Sequence, residues 1–259
     1  MEAKSNLPDR SKVFKSYIEK LLDMTVSIVE GPNRCMSNFQ KVLEGIVRKN
    51  YYTLYSVDIL AGNQHCASTI TDLSRQVIED WIVIEFMKLK GKDKKAKEFI
   101  DFATIENSND MAYLKQLGKT FEPEFGEARK KEFKELSKQF EFKRGQISHN
   151  WAKCNFDSMI AELQKEGIFK EKMYINICQA YILGNRKNHT SPIDILNYVF
   201  PIELHDFDLL RSMNTALTFC FVPYLKLSIE FCLEIKNTSK FKELVNLLYK
   251  FNQELKNKE

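Results

Sequence analysis

Apolar residues recur at spacings of three and four along most of the chain, and that period predicts α-helices. Val13, Tyr17, Leu21, Met24 and Ile28 mark a helix over about 11–29, which Gly31-Pro32-Asn33 should end. Phe39, Val42, Leu43, Ile46, Tyr52, Leu54 and Leu60 mark a second over about 35–61, with Gly62-Asn63 as its stop. A third, about 70–90, is apolar on most of its circumference from Val77 to Leu89, as expected of the central helix of a bundle. Further helices are predicted at about 94–118, 122–143, 156–166, 170–184, 192–199, 206–236 and 239–256. Asn155 or Asp157 can cap the one that starts near 156. Residues 144–154 read as a loop, and no strand pair with turn chemistry and no internal repeat is visible. The expectation is an all-α, multi-helix bundle with long antiparallel helices. It forms a single domain over 1–259, with the charge-rich stretch 91–143 a candidate helical arm.

Composition narrows this picture. Nine Gly and six Pro in 259 residues leave few turn-makers, which favours long helices over a many-stranded fold. At 44% hydrophobic the chain can build a sizeable core. A net charge of +4 and a pI near 8.6 permit a nucleic-acid partner without demanding one. Of the six cysteines (Cys35, Cys66, Cys154, Cys178, Cys220, Cys232), no two have the spacing of a metal knuckle. They read as free thiols in a reducing compartment. The N-terminus is polar, with no signal-peptide core. The most apolar stretch, Ala216 to Leu233, is interrupted by Pro223, Lys226 and Glu230 and reads as a core helix rather than a membrane span. A cytoplasmic protein without a membrane partner, a metal or a cofactor is therefore expected. Walker, dinucleotide-binding, zinc-protease and nucleophile-elbow motifs are all missing.

The chemistry-bearing residues fall in three places. Ser191-Pro192-Ile193-Asp194 is a helix-start signal, with Ser191 as cap and Pro192 in the first turn. His189 stands just ahead of it, beside unpaired N–H groups suited to an anion such as phosphate. Arg75 and Glu79 lie four apart, hence on one face of the apolar third helix. Charges in such a setting need partners, and His189, Tyr181 and Arg75 are the candidates for Glu79. Arg144 and His149 have the Arg-x4-His spacing that HEPN-type ribonucleases use at a phosphate, here in a Gly-containing loop. Trp151 and Asn150 read first as loop anchors. The lysines between 88 and 97 read as a solvated face, since no aromatic residues interleave them to stack bases.

Arg75-x3-Glu79 on a central helix, a loop with Trp151, and Tyr181-x7-His189-x-Ser191-Pro192 together resemble an uncharacterised all-helical bacterial domain family, over roughly residues 35–200. Asn185 stands where that family commonly has Ser, and Thr190 where it commonly has Pro after His. The resemblance implies a helical bundle and, by analogy, kinship with HEPN-like proteins of toxin and phage-defence systems. Two readings stand. One is a metal-independent ribonuclease acting on RNA or another phosphate-bearing ligand, in which Glu79 and Tyr181 orient His189 and Arg75 balances charge. The other is a non-catalytic interaction module, as a homodimer or as a subunit of a defence or toxin–antitoxin complex.

Overall fold

The computed structural model describes residues 10–30, 36–116, 127–143, 146–148, 150–188 and 202–256. Among these residues eight helices form the bundle: α1 (Ser11–Val29), α2 (Asn38–Leu60), α3 (Ala67–Gln116), α4 (Glu127–Gln139), α5 (Phe156–Lys165), α6 (Glu171–Asn188), α7 (Ile202–Glu234) and α8 (Thr238–Lys256). The helix predicted at 192–199 lies outside the described residues.

Local signals explain most boundaries. Ser37 caps α2 in a reciprocal box: its hydroxyl accepts from the Gln40 amide, and the Gln40 side chain accepts from the Ser37 amide. Asn155 caps α5 by accepting from the Ser158 amide at 2.9 Å. The helices predicted at 70–90 and 94–118 form one long element broken at Gly91, whose φ of 101° and ψ of 76° are not helical. That left-handed backbone favours glycine for its lack of a Cβ.

The core is shared by every helix pair that touches. α3 packs most extensively on α7, then on α2 and α6. Phe251 of α8 meets Phe14 of α1 at 5.2 Å and Phe221 of α7 at 4.5 Å between ring centroids. Such pairs contribute about 0.5–1.5 kcal/mol beyond their buried area. Tyr17 adds a hydrogen bond to Glu254 at 2.9 Å, and burial, then Glu254, push its pKa up to about 12. α7 runs on through Pro223. Its stretch Arg211–Glu234 is, among the described residues, the one segment long and apolar enough to cross a membrane. Since 61% of its most apolar window is buried against the other helices, that apolarity is used by the core.

One stretch departs from expectation. The helix predicted to reach 143 stops at Gln139, and the chain then forms a short antiparallel ribbon, β1 (Glu141–Lys143) with β2 (Gln146–Ile147). Phe140 is buried against Phe102 at 5.0 Å and anchors the turn, while Phe140-Glu141-Phe142-Lys143 alternates with the period of a strand. So small a ribbon is marginal alone and depends on that anchor.

Candidate functional site

Arg75, Glu79 and Tyr181 come together on the α3–α6 side of the bundle. Arg75 Nε donates to Glu79 Oε1 at 2.7 Å, and the guanidinium lies over the Tyr181 ring, 5.2 Å from its centroid. Tyr181 packs in turn on Phe156, the first residue of α5, at 4.5 Å. The Asn155 cap therefore sets the backing of the site. The expected buried cluster is instead half open: the Arg75 side chain is 19% exposed and that of Glu79 32%. An i,i+4 pair in this setting stabilises the helix by a few tenths of a kcal/mol.

α6 runs antiparallel to α3, since Trp81 meets Phe169 before α6 begins and Arg75 meets Tyr181 further along it. Seven more residues carry α6 to Asn188, about 10 Å beyond Tyr181 at 1.5 Å per residue. That direction leads toward the Thr71 end of α3, away from Glu79. The helix predicted to stop at 184 thus extends to the residue before His189, and the negative end of its dipole precedes that histidine in the chain. Asn185 lies on α6, one turn beyond Tyr181. His189, Ser191, Arg144 and His149 lie outside the described residues.

Trp151 is a core residue, 6% exposed, with its ring edge-on to Phe86 at 6.2 Å and Phe99 at 5.4 Å. Asn150 beside it closes a local turn by accepting from the Ala152 amide at 2.8 Å. The lysine run keeps a partly solvated face, with Lys90, Lys94 and Lys97 exposed, but most of its ammonium groups are also ion-paired. Lys88 pairs with Glu230 of α7 at 2.8 Å, Lys90 with Glu162 of α5, and Lys92 with Glu234 of α7. Lys95 and Lys97 pair with Glu98 and Asp101 within α3. Alternate positions of one helix face different neighbours, and each neighbour presents a carboxylate.

Three arrangements were not read from the sequence. The first surrounds Asp80, which accepts from Lys49 at 2.9 and 3.0 Å and from Asn50 Nδ2 at 2.9 Å, both on α2. Burial raises its pKa, against the pull of Lys49. The second is a charged seam between α3 and α7. Trp81 Nε1 donates to Glu85 at 3.2 Å, and Lys226 stacks over the Trp81 ring at 4.5 Å. Burial lowers the Lys226 pKa. The third is a cleft of about 520 Å³ between α3, α6 and α7, with Thr71 and Ser74 on one wall, Asn176 and Gln179 on another, and Arg211 and Phe219 on the third. Thr71 and Arg75 are one turn apart, so the cleft adjoins the Arg75 cluster along α3. Such sites join three helices distant in sequence, and no spacing rule reports them.

These features define an all-helical bundle whose central helix carries three charged clusters and borders a polar cleft. The chain belongs to the Family of unknown function (DUF5677), whose model matches residues 40–204. That span holds Arg75, Glu79, Tyr181 and His189, while the α7 wall of the cleft lies beyond it. Comparisons with curated proteins and with solved structures return no match.

Proposed function

We propose that this protein acts on RNA, in the manner of HEPN-like ribonucleases, with Arg75, Glu79 and Tyr181 as a fixed charged platform and His189 as the proton-transfer group. The observation that carries the reading is the half-open state of the Arg75–Glu79–Tyr181 cluster. A pair kept only to satisfy two charges in a core would be sealed, whereas Glu79 here is 32% exposed, and Thr71 and Ser74 of the same helix line a cleft. Glu79 holds Arg75, whose Nε donates to it at 2.7 Å. In the reaction His189 takes the proton of a 2′-hydroxyl, and the oxygen attacks the adjacent phosphorus. The P–O5′ bond breaks, O5′ leaves with a proton from water, and a 2′,3′-cyclic phosphate and a 5′-hydroxyl result.

Cleavage of a single-stranded oligoribonucleotide by the full chain, compared with His189→Ala and Arg75→Ala, tests this. We expect each substitution to lower the rate by about 100-fold or more. Equal rates, or no cleavage by the unsubstituted chain, would remove the reading.

A second reading, a non-catalytic self-associating module, is favoured by α2. There Tyr52, Tyr55 and Ile59 stand 70%, 52% and 64% exposed along one stripe. A two-fold pairing would set this stripe against itself. Sedimentation of the chain and of Tyr52→Lys decides it: a monomer in both cases removes the module.

A further inference from the structure

We propose that the α3–α6–α7 cleft binds a single nucleotide unit, its base on Phe219 and its phosphate on Arg211. This rests on the RNA reading for the source of the nucleotide and adds to it the place and the chemistry of recognition. Size comes first: about 520 Å³ lies within the range of small-molecule sites. Charge comes second, since Arg211 is the one charged residue among the described residues that line the cleft. An exposed guanidinium is suited to the two oxygens of a phosphate.

The hydroxyls in the walls identify the other end of the ligand. Thr71 Oγ1 donates to the Ala67 carbonyl at 2.8 Å, Ser74 Oγ to the Thr71 carbonyl at 2.7 Å, and Thr218 Oγ1 to the Asn214 carbonyl at 2.8 Å. Each has committed its proton to the backbone, so what it has left to offer a ligand is lone pairs. Acceptors of this kind repel a bare phosphate and select N–H groups. The half-buried Phe219 supplies an aromatic wall on α7, next to Thr218 and two turns along the helix from Arg211. A ligand with an anion for Arg211, a flat ring for Phe219 and N–H donors for the hydroxyl acceptors is a nucleotide, best one whose base carries an exocyclic amino group. Asn176 and Gln179 on the α6 rim both donate and accept, which suits ribose hydroxyls. Adenine, cytosine and guanine present an amino group to such acceptors, whereas uracil offers only its ring N3–H.

Direct binding to the full chain tests the cleft with two probes, each read on its own: a labelled single-stranded hexa-adenylate by fluorescence polarisation, and AMP by titration calorimetry. We expect Arg211→Ala to weaken binding about tenfold or more, Arg211→Lys to recover part of the loss, and hexa-uridylate to bind more weakly than hexa-adenylate. Arg211 is exposed, so its variants should fold, and a melting curve checks this. Phe219→Leu, which keeps apolar volume but removes the flat ring, should weaken binding by about fivefold or more. Binding by Arg211→Ala equal to that of the unsubstituted chain, or no binding of either probe, overturns the cleft. Arg211-independent RNA binding with cleavage that still needs His189 overturns the cleft and leaves the RNA reading standing. AMP bound through Arg211, with neither hexanucleotide bound nor RNA cleaved, supports the cleft as a free-nucleotide site and overturns the RNA reading.

Discussion

Glu79 and Asp80 are adjacent on α3, carry the same charge, and do different things. Glu79 turns toward α6, takes its partner from its own helix four residues back, and keeps 32% of its side chain in solvent. Asp80 turns toward α2, takes its partners from residues 49 and 50, and keeps 15%. A rotation of 100° about the helix axis separates a local, half-open pair from a long-range tie between helices. The first can meet a ligand, and the second holds two helices in register. The carboxylate with the more distant partners is thus the structural one, and the one with an adjacent partner is the candidate for chemistry.

The largest effect that sharpens this contrast is Asp80→Ala. Asn50 is fully buried, and the substitution removes the acceptor of its Nδ2. The expected loss is about 1–3 kcal/mol, several degrees of melting temperature, with RNA cleavage unchanged where the chain remains folded. Calorimetric melting measures the first and the oligonucleotide assay the second. A melting temperature within a degree of the original would break the comparison at its structural end.

Asn50→Ala should cost less, about 1–2 kcal/mol by thermal melting, because it also removes a buried Oδ1 that has no hydrogen-bond partner. Asp80 would keep Lys49, half of whose side chain is exposed and which adjusts freely. A loss larger than that of Asp80→Ala would mean that Asn50, rather than the carboxylate, organises the tie.

How much of this could be read in advance follows from the same geometry. Helical spans came through because apolar spacing is a local property. α1 matches its predicted span, α2 lies within its own, and Asn155 caps α5 as its position suggested. Arg75 and Glu79 were legible for the same reason, as partners one turn apart. Asp80 and Lys226 were not, since their partners lie on other helices, and Arg211 was not, since the other walls of its cleft come from α3 and α6; a helical wheel does not say which neighbour each face meets. The lysines from 88 to 97 show the limit well. A run of like charge suggested solvent, and only the packing shows Glu162, Glu230 and Glu234 waiting on α5 and α7. The ribbon at 141–147 was missed because three alternating residues are too few to outweigh the helical pattern before them.

In stability, Glu79→Ala is expected to be nearly silent: less than about 0.5 kcal/mol by thermal melting, the worth of a half-exposed i,i+4 pair. Its effect should appear in the oligonucleotide assay instead, as Arg75 loses its tether and cleavage falls. This is the inverse of Asp80→Ala, and the pair of variants forms the comparison's most direct test. Should Glu79→Ala melt as low as Asp80→Ala while cleavage persists, the two carboxylates would have exchanged roles.

The smallest expected effect is in acid, and it sets Asp80 against the exposed Asp93. Burial raises the Asp80 pKa above 3.8, with Lys49 opposing. The Asp93 pKa is lowered below 3.8 by the Phe39 amide, which donates to it at 3.0 Å across the start of α2. The signs are then opposite. Folded Asp80 holds a proton that the unfolded chain has released, so its contribution to stability falls as pH rises through the window above 3.8. Asp93 contributes stability that is fully present above 3.8 and is lost as pH drops through its depressed folded value. Melting temperatures followed from pH 7 down into the acid range should therefore diverge. Relative to the unsubstituted chain, Asp80→Asn gains as pH rises above 3.8, while the deficit of Asp93→Asn closes as pH falls below it. Two slopes of the same sign would show that burial does not dominate at Asp80, and the contrast between its closed setting and the open one of Glu79 would lose its electrostatic basis.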